Sequence, residues 1–152
     1  MVINPKLIVC DEPVSALDVS IQAQILNMLM KLQKELELSL LFISHDIGVI
    51  RFISDRIGVV HLGSLVEETD TEELFANPYH PYTKGLFASV PDPYIRKDGF
   101  SELKGEQPVR TKDFKEYAFC TRCPYAIEKC KTDAPEFREV KAGHKVACHL
   151  VK

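Results

Sequence analysis

Two carboxylates and a histidine directly follow two short apolar runs of the chain. Asp11 and Glu12 come after residues 6–10 (KLIVC), and His45 comes just after residues 38–43 (LSLLFI). Apolar runs of this kind are typical of buried parallel strands, whose carboxyl ends form the ligand-binding edge of an α/β sheet. Phosphoryl transfer needs a carboxylate for Mg²⁺, a base for the attacking water and a group beside the γ-phosphate. Taken singly, such residues are more often a solvated turn and a surface histidine.

The second set of candidate residues is a group of cysteines near the end of the chain. Four of the five cysteines follow the pattern C-x2-C-x6-C-x17-C, in a segment with little apolar periodicity. Metal binding can replace a hydrophobic core in such a segment, and both zinc and an iron–sulfur cluster accept four thiolates. Four unmetallated thiols are the alternative, and Cys10 is predicted to be a core residue. The predicted ligands are Cys120, Cys123, Cys130 and Cys148, with His144 and His149 as substitute or supporting donors.

These side chains need a sheet and helices to position them, and the apolar periodicity predicts both. Pro13 ends the first strand, and the turn after it leads to a helix with Asp18 or Ser20 as its N-cap. The alternation of strand and helix predicts a parallel α/β sheet. The predicted elements are strand 6–10, helix 21–36, strand 38–43, helix 47–53, a hairpin of 56–61 with 65–68, and helix 71–75.

The remainder of the chain is less regular. Residues 77–93 contain four prolines and a helix candidate at 86–90, and residues 92–114 are polar and predicted to be a linker. We expect 77–83 to have a packing role, since its prolines fix the backbone and its aromatic side chains supply surface. The 152 residues, 45% hydrophobic and with a net charge of −3, have a globular composition and no nucleic-acid footprint. No apolar run is long enough to span a membrane, and no secretory signal is found at the N-terminus.

Together, the first set of residues resembles a known family. LIVCDEPVSALDVS is similar to the Walker B strand, catalytic glutamate and D-loop of ABC-transporter ATPases, and LLFISHD is similar to their H-loop. The resemblance implies that Asp11 binds Mg²⁺, that Glu12 is the catalytic base and that His45 is the switch histidine. It also implies that Ser15 and Asp18 of the D-loop face a second subunit and belong with Asp11 to the cofactor-binding residues.

The second half resembles one branch of that family. RIGVVHLGSLVEETDTEELFANPYHPYTKGL is similar to ATPase subunits of oligopeptide, dipeptide and nickel importers, whose C-terminal extension carries the Asn-Pro-x-His-Pro-Tyr-Thr segment found at 77–83. This predicts the C-terminal half of an ABC ATPase domain at 1–76 and the extension at 77–152. CPYAIEKC and HKVACHL look like the part of the extension that holds a 4Fe–4S cluster, with Zn²⁺ as the alternative. The usual first cysteine position corresponds to Tyr117, so we expect Cys120 to replace that ligand.

Several expected ATPase motifs are absent from these 152 residues. There is no G-x-x-x-x-G-K-[ST], no Ser-Gly-Gly-Gln signature and no Q-loop. The sequence therefore predicts the C-terminal part of an α/β P-loop ATPase with a small Cys-rich, metal-stabilised extension, inactive alone and using ATP and Mg²⁺ only in the full-length context. By resemblance it energises oligopeptide or dipeptide import with a second ATPase subunit and transmembrane permease subunits, at the cytoplasmic face of the membrane. The alternative is a non-enzymatic metal-binding module that docks a partner or senses redox state.

Overall fold

A computed structural model describes residues 5–89 and 119–151 of the chain. The predicted linker at 92–114 and Tyr117 lie outside the described residues, as does the last residue of the helix predicted at 86–90. The chain divides into two compact units, Met1–Ser54 and Asp55–Lys152. This division falls inside the segment predicted to be ATPase domain, and the boundary at residue 77 remains a prediction.

The first unit is a strand–helix–strand–helix arrangement, as predicted. Its elements are β1 (Leu7–Asp11), α1 (Val19–Leu36), β2 (Ser39–Ile43) and α2 (Ile47–Ile53). The strands pair in parallel, with Leu7 opposite Ser39 and Asp11 opposite Ile43. Asp18 caps α1, because its side chain accepts a hydrogen bond from the Ile21 N–H at 3.0 Å. This register brings the carboxyl ends of both strands together.

The core of the first unit lies on one face of the two strands. Val14, Leu26 and Val49 are buried there, and Phe42 of β2 packs against them. Cys10 is also buried, at 9% exposure, which confirms its prediction as a core residue. The expectation that both strands are buried is wrong for one of their two faces, whose side chains are exposed in this structure. The half-exposed apolar side chains of this face are Leu7, Val9, Leu41 and Ile43.

The second unit contains an antiparallel sheet in the strand order β3-β4-β6-β5. The predicted hairpin is confirmed, with one register irregularity between Val59 and Val60. The predicted helix at 86–90 begins earlier, at Pro81, because proline suits the first position of a helix and the residue before it supplies a cap. The sequence did not predict β5 and β6. The elements are β3 (Arg56–His61), β4 (Ser64–Asp70), α3 (Thr71–Ala76), α4 (Pro81–Ala88), α5 (Lys129–Thr132), β5 (Arg138–Lys141) and β6 (His144–Val146).

The two units together are therefore mixed α/β, parallel in the first and antiparallel in the second. Among residues 5–89 and 119–151, no helix combines the length and the apolar character needed to cross a bilayer.

Candidate functional site

The parallel register places Glu12 beside His45. The Glu12 N–H donates to the Ile43 carbonyl at 3.0 Å, so the residue after β1 stays tied to the end of β2. One carboxylate oxygen, Glu12 Oε1, then lies 2.9 Å from His45 Nδ1. This hydrogen bond, with the attraction of the same carboxylate, raises the pKa of His45 above its ordinary value. The structure thus brings together the two residues predicted to be catalytic.

Glu12 has two further features that suit a proton acceptor. Its second oxygen, Oε2, is buried and has no hydrogen-bond partner within the described part of the chain. Its backbone has a φ of 48°, a left-handed conformation that costs a non-glycine residue about 1 kcal/mol or more. Such conformations concentrate at functional sites, where the surrounding structure holds them. Glu12 therefore has one oxygen held by His45 and one free to accept a proton.

The predicted cofactor-binding residues lie around the same turn. Asp11 is the last residue of β1 and is exposed, which leaves its carboxylate accessible to a cation. The Ser15 hydroxyl donates to the Glu12 carbonyl at 3.1 Å, and Asp18 is occupied as the cap of α1. Ser15 and Asp18 thus organise the turn that holds Glu12, and their contact with a nucleotide or a second subunit stays a prediction.

The second candidate site is a cavity lined by the four predicted cysteine ligands. Cys120, Cys123, Cys130 and Cys148 all lie on its wall, together with His80 and Phe119. All of these cysteines are free thiols. Burial raises the pKa of Cys123, and the neighbouring cysteines raise it further, since each thiolate disfavours the next. The structure therefore brings the four predicted cysteine ligands together on the wall of one cavity.

The cysteines do not form a closed ligand shell as they stand. Within residues 5–89 and 119–151, no three histidine, cysteine or acidic side chains have the geometry of a metal site. The predicted metal-stabilised extension is thus not shown, although its four residues share a cavity. His149 also lines the cavity, with its Nε2 3.1 Å from the Asp133 carbonyl oxygen. His144, the other predicted supporting donor, is held elsewhere.

His144 instead contacts a buried glutamate that the sequence analysis missed. Glu67 in β4 is 0% exposed, and its Oε1 lies 2.9 Å from His144 Nε2 of β6. The same carboxylate accepts the N–H groups of Tyr79 at 2.6 Å and of His80 at 3.1 Å. One side chain therefore joins β4, the segment before α4, and β6. Two successive glutamates are typical of a solvent-facing segment, and nothing local in the sequence distinguishes Glu67.

Residues 77–83 have the packing role predicted for them. His80 is 1% exposed, and its Nδ1 accepts the Tyr82 N–H at 3.0 Å, which caps α4. Burial, together with the smaller effect of the neighbouring His61, lowers the pKa of His80 to about 3, so the ring is neutral at physiological pH. This ring and that of Tyr82 both pack against Phe119.

Comparison with known proteins gives consistent matches. Residues 66–130 match the family model described as the oligopeptide/dipeptide transporter, C-terminal region. The chain is 52% identical to the oligopeptide transport ATP-binding protein AppF of Bacillus subtilis, over 99% of the chain and 46% of that relative. It is 46% identical to the putative oligopeptide transport ATP-binding protein YkfD of the same organism, over 99% of the chain and 46% of the relative. A putative peptide import ATP-binding protein of Brucella ovis is also 46% identical, over 97% of the chain and 47% of the relative. The chain spans about half the length of these relatives.

Proposed function

We propose that this chain, which is similar to oligopeptide-transport ATP-binding proteins and spans about half of their length, is part of such a protein. In this proposal it supplies the water-activating part of a subunit that hydrolyses ATP to drive peptide import. The observation that carries this proposal is the 2.9 Å contact between Glu12 and His45 at the carboxyl ends of two parallel strands. This is the edge at which open α/β sheets bind ligands.

In this proposal each residue of this edge has a separate task. Glu12 Oε2 accepts the proton of the attacking water, while Oε1 is held by His45, so the carboxylate keeps one orientation. His45, whose pKa is raised by Glu12, holds a proton more readily and presents a positive group to the charge that develops on the γ-phosphate. Asp11 would hold Mg²⁺, which neutralises phosphate charge when bound.

The partners and location follow from the same proposal. We infer that the turn carrying Ser15 and Asp18 faces a second ATPase subunit, and that both subunits act on transmembrane permease subunits at the cytoplasmic face of the membrane. The names of the relatives, which are peptide-transport ATP-binding proteins, support oligopeptides or dipeptides as the cargo.

A fusion experiment tests this function. The chain has no phosphate-binding loop, so the 152 residues alone should show no measurable ATP turnover. Joined in frame to the segment of AppF that precedes the matching region, the chain should bind ATP and hydrolyse it in the presence of Mg²⁺. The fusion is first checked for folding by circular dichroism and for binding of a fluorescent nucleotide. A folded fusion that binds nucleotide without hydrolysing it would contradict the proposal, as would turnover by the isolated chain.

The cysteine cavity favours a second function. We propose that Cys120, Cys123, Cys130 and Cys148 bind a 4Fe–4S cluster, with Zn²⁺ as the alternative occupant. Four free thiols on one cavity wall support this proposal. The same site underlies the alternative function, in which a non-enzymatic module docks a partner or senses redox state.

Metal analysis of anaerobically purified protein distinguishes these occupants. A 4Fe–4S cluster predicts a brown protein with broad absorption near 400 nm and roughly four irons per chain. In a Cys123→Ser variant the iron should fall to a small fraction of this value, whereas Cys10→Ser should retain it because Cys10 lies in the core of the first unit. A colourless protein with one zinc would exclude the cluster and retain the metal site. Protein free of both metals would overturn the site altogether.

A further inference from the structure

We propose that His80 is a positioning residue of the cysteine cavity, whose ring fixes the backbone on which Cys148 and Cys120 are presented. His80 would give the 77–83 segment a specific task, and the effect of His80 on a bound metal rests on the proposed metal site. Three contacts of the buried ring carry the argument: one to the N-terminus of α4, one to the residue before Cys148 and one to the residue before Cys120.

The first two contacts determine which ring nitrogen carries the proton. Nδ1 accepts the Tyr82 N–H at 3.0 Å, so Nε2 is the protonated nitrogen of the neutral ring. The ring also makes a hydrogen bond with the backbone of Ala147. Because the Ala147 N–H already donates to the Val66 carbonyl at 2.9 Å, Nε2–H must donate to the Ala147 carbonyl. His80 thereby holds the peptide group that leads directly into Cys148.

The third contact reaches the other end of the cysteine pattern. The ring centroids of His80 and Phe119 are 5.1 Å apart, and Phe119, at 1% exposure, immediately precedes Cys120. The Phe119 carbonyl in turn accepts the Cys123 N–H at 3.0 Å, so the turn carrying two of the four thiols starts from this residue. One ring therefore packs between two cysteine-bearing segments that are far apart in the sequence.

The backbone of His80 is itself firmly held. Its N–H donates to the buried carboxylate of Glu67 at 3.1 Å, and Pro81 restricts the chain on its other side. Because its backbone is fixed in this way, the His80 ring restricts the positions of the residues that it contacts. Groups that orient metal ligands typically change metal affinity by 10–100-fold when they are replaced.

Two amide variants separate the positioning role from the helix-capping role. In His80→Asn the side-chain oxygen can replace Nδ1 as the cap of α4, but the side chain is too short to reach Ala147. In His80→Gln the longer amide can donate to the Ala147 carbonyl in place of Nε2–H, and the cap is lost. Both variants lose the aromatic ring, so the packing against Phe119 is matched between them.

The variants are compared by anaerobic titration with Co²⁺, whose thiolate charge-transfer band reports how many cysteines bind. We expect His80→Asn to weaken Co²⁺ binding by about 10–100-fold and to reduce the band, and His80→Gln to stay within about threefold of the unmodified protein. If capping of α4 were the relevant role, the order would be reversed. Equal affinities of the two variants would also overturn the proposal.

Alkylation of the metal-free protein tests the same inference without a metal. We expect iodoacetamide to modify Cys148 and Cys120 several-fold faster in His80→Asn than in His80→Gln, as followed by peptide mass spectrometry. Cys10 serves as the internal control, because an unchanged rate there shows that the first unit remains folded. If the unsubstituted protein binds neither an iron–sulfur cluster nor Co²⁺, the proposed metal site fails while this experiment still tests His80. Equal alkylation rates in both variants would refute the positioning role.

Discussion

Replacement of Glu12 with glutamine is expected to lower ATP turnover of the AppF fusion by about 10²–10⁴-fold, the usual range for loss of a general base. The amide keeps the size of the side chain and an oxygen toward His45, but it cannot accept the proton of the attacking water. Nucleotide binding should be retained, since no step before proton transfer needs the second carboxylate oxygen. Turnover is measured by phosphate release at saturating ATP, and nucleotide affinity is measured separately by fluorescence.

Two further measurements make the Glu12 result specific. Glu35→Gln is the matched control, because Glu35 lies on the exposed side of α1, with 58% of its side chain accessible, and pairs with Lys31 at 3.8 Å. This control should change turnover by less than twofold. In the 152-residue chain, Glu12→Gln should lower the pKa of His45 toward its ordinary value, which an NMR titration detects without any nucleotide. Undiminished turnover together with a lowered His45 pKa would show that the contact exists but is not catalytic.

The first unit could be predicted well because its signals are local. The apolar runs before Asp11 and before His45, with an amphipathic segment between them, allow one common arrangement, a right-handed parallel crossover. That arrangement alone brings the two strand ends together, so the proximity of Glu12 and His45 follows from the pattern. The exposure of one face of β1 and β2 could not be predicted. The pattern shows that a strand is apolar, but it does not show which elements cover the strand.

The second unit could be predicted only in part, because its structure depends on distant pairings. The β3–β4 hairpin has a local turn and was predicted. In contrast, β6 pairs with β4, with Glu67 opposite Val146, and no signal near β6 in the sequence indicates this distant pairing. The contacts of Glu67 are 12, 13 and 77 residues away along the chain. The grouping of the four cysteines was predicted from their spacing. The proposed role of His80 in positioning them could be inferred only from the three-dimensional structure.

Replacement of Glu67 with alanine is expected to lower the free energy of unfolding of the second unit by about 3–5 kcal/mol. The substitution leaves the N–H groups of Tyr79 and His80 and the Nε2 of His144 without their shared acceptor. A buried donor without a partner costs about 1–3 kcal/mol. The substitution also removes the hydrogen bonds that attach the segment before α4 to the sheet. Glu67→Gln, which keeps one acceptor oxygen, should have an intermediate effect.

The chain allows the second unit to be monitored separately during urea unfolding. It contains no tryptophan, and all five tyrosines come after residue 78, so tyrosine fluorescence reports on the second unit alone. Glu68→Ala is the matched control, since Glu68 is the next residue of β4 and forms a partly exposed ion pair with Arg56 at 3.0 Å. Such a pair is worth no more than about 1 kcal/mol, so this control should move the midpoint little. If Glu67→Ala shifted the midpoint no further than Glu68→Ala, the buried carboxylate would not be what joins β4, the segment before α4 and β6. His80 would then be held by the packing of its ring and by the hydrogen bonds of that ring to Tyr82 and Ala147.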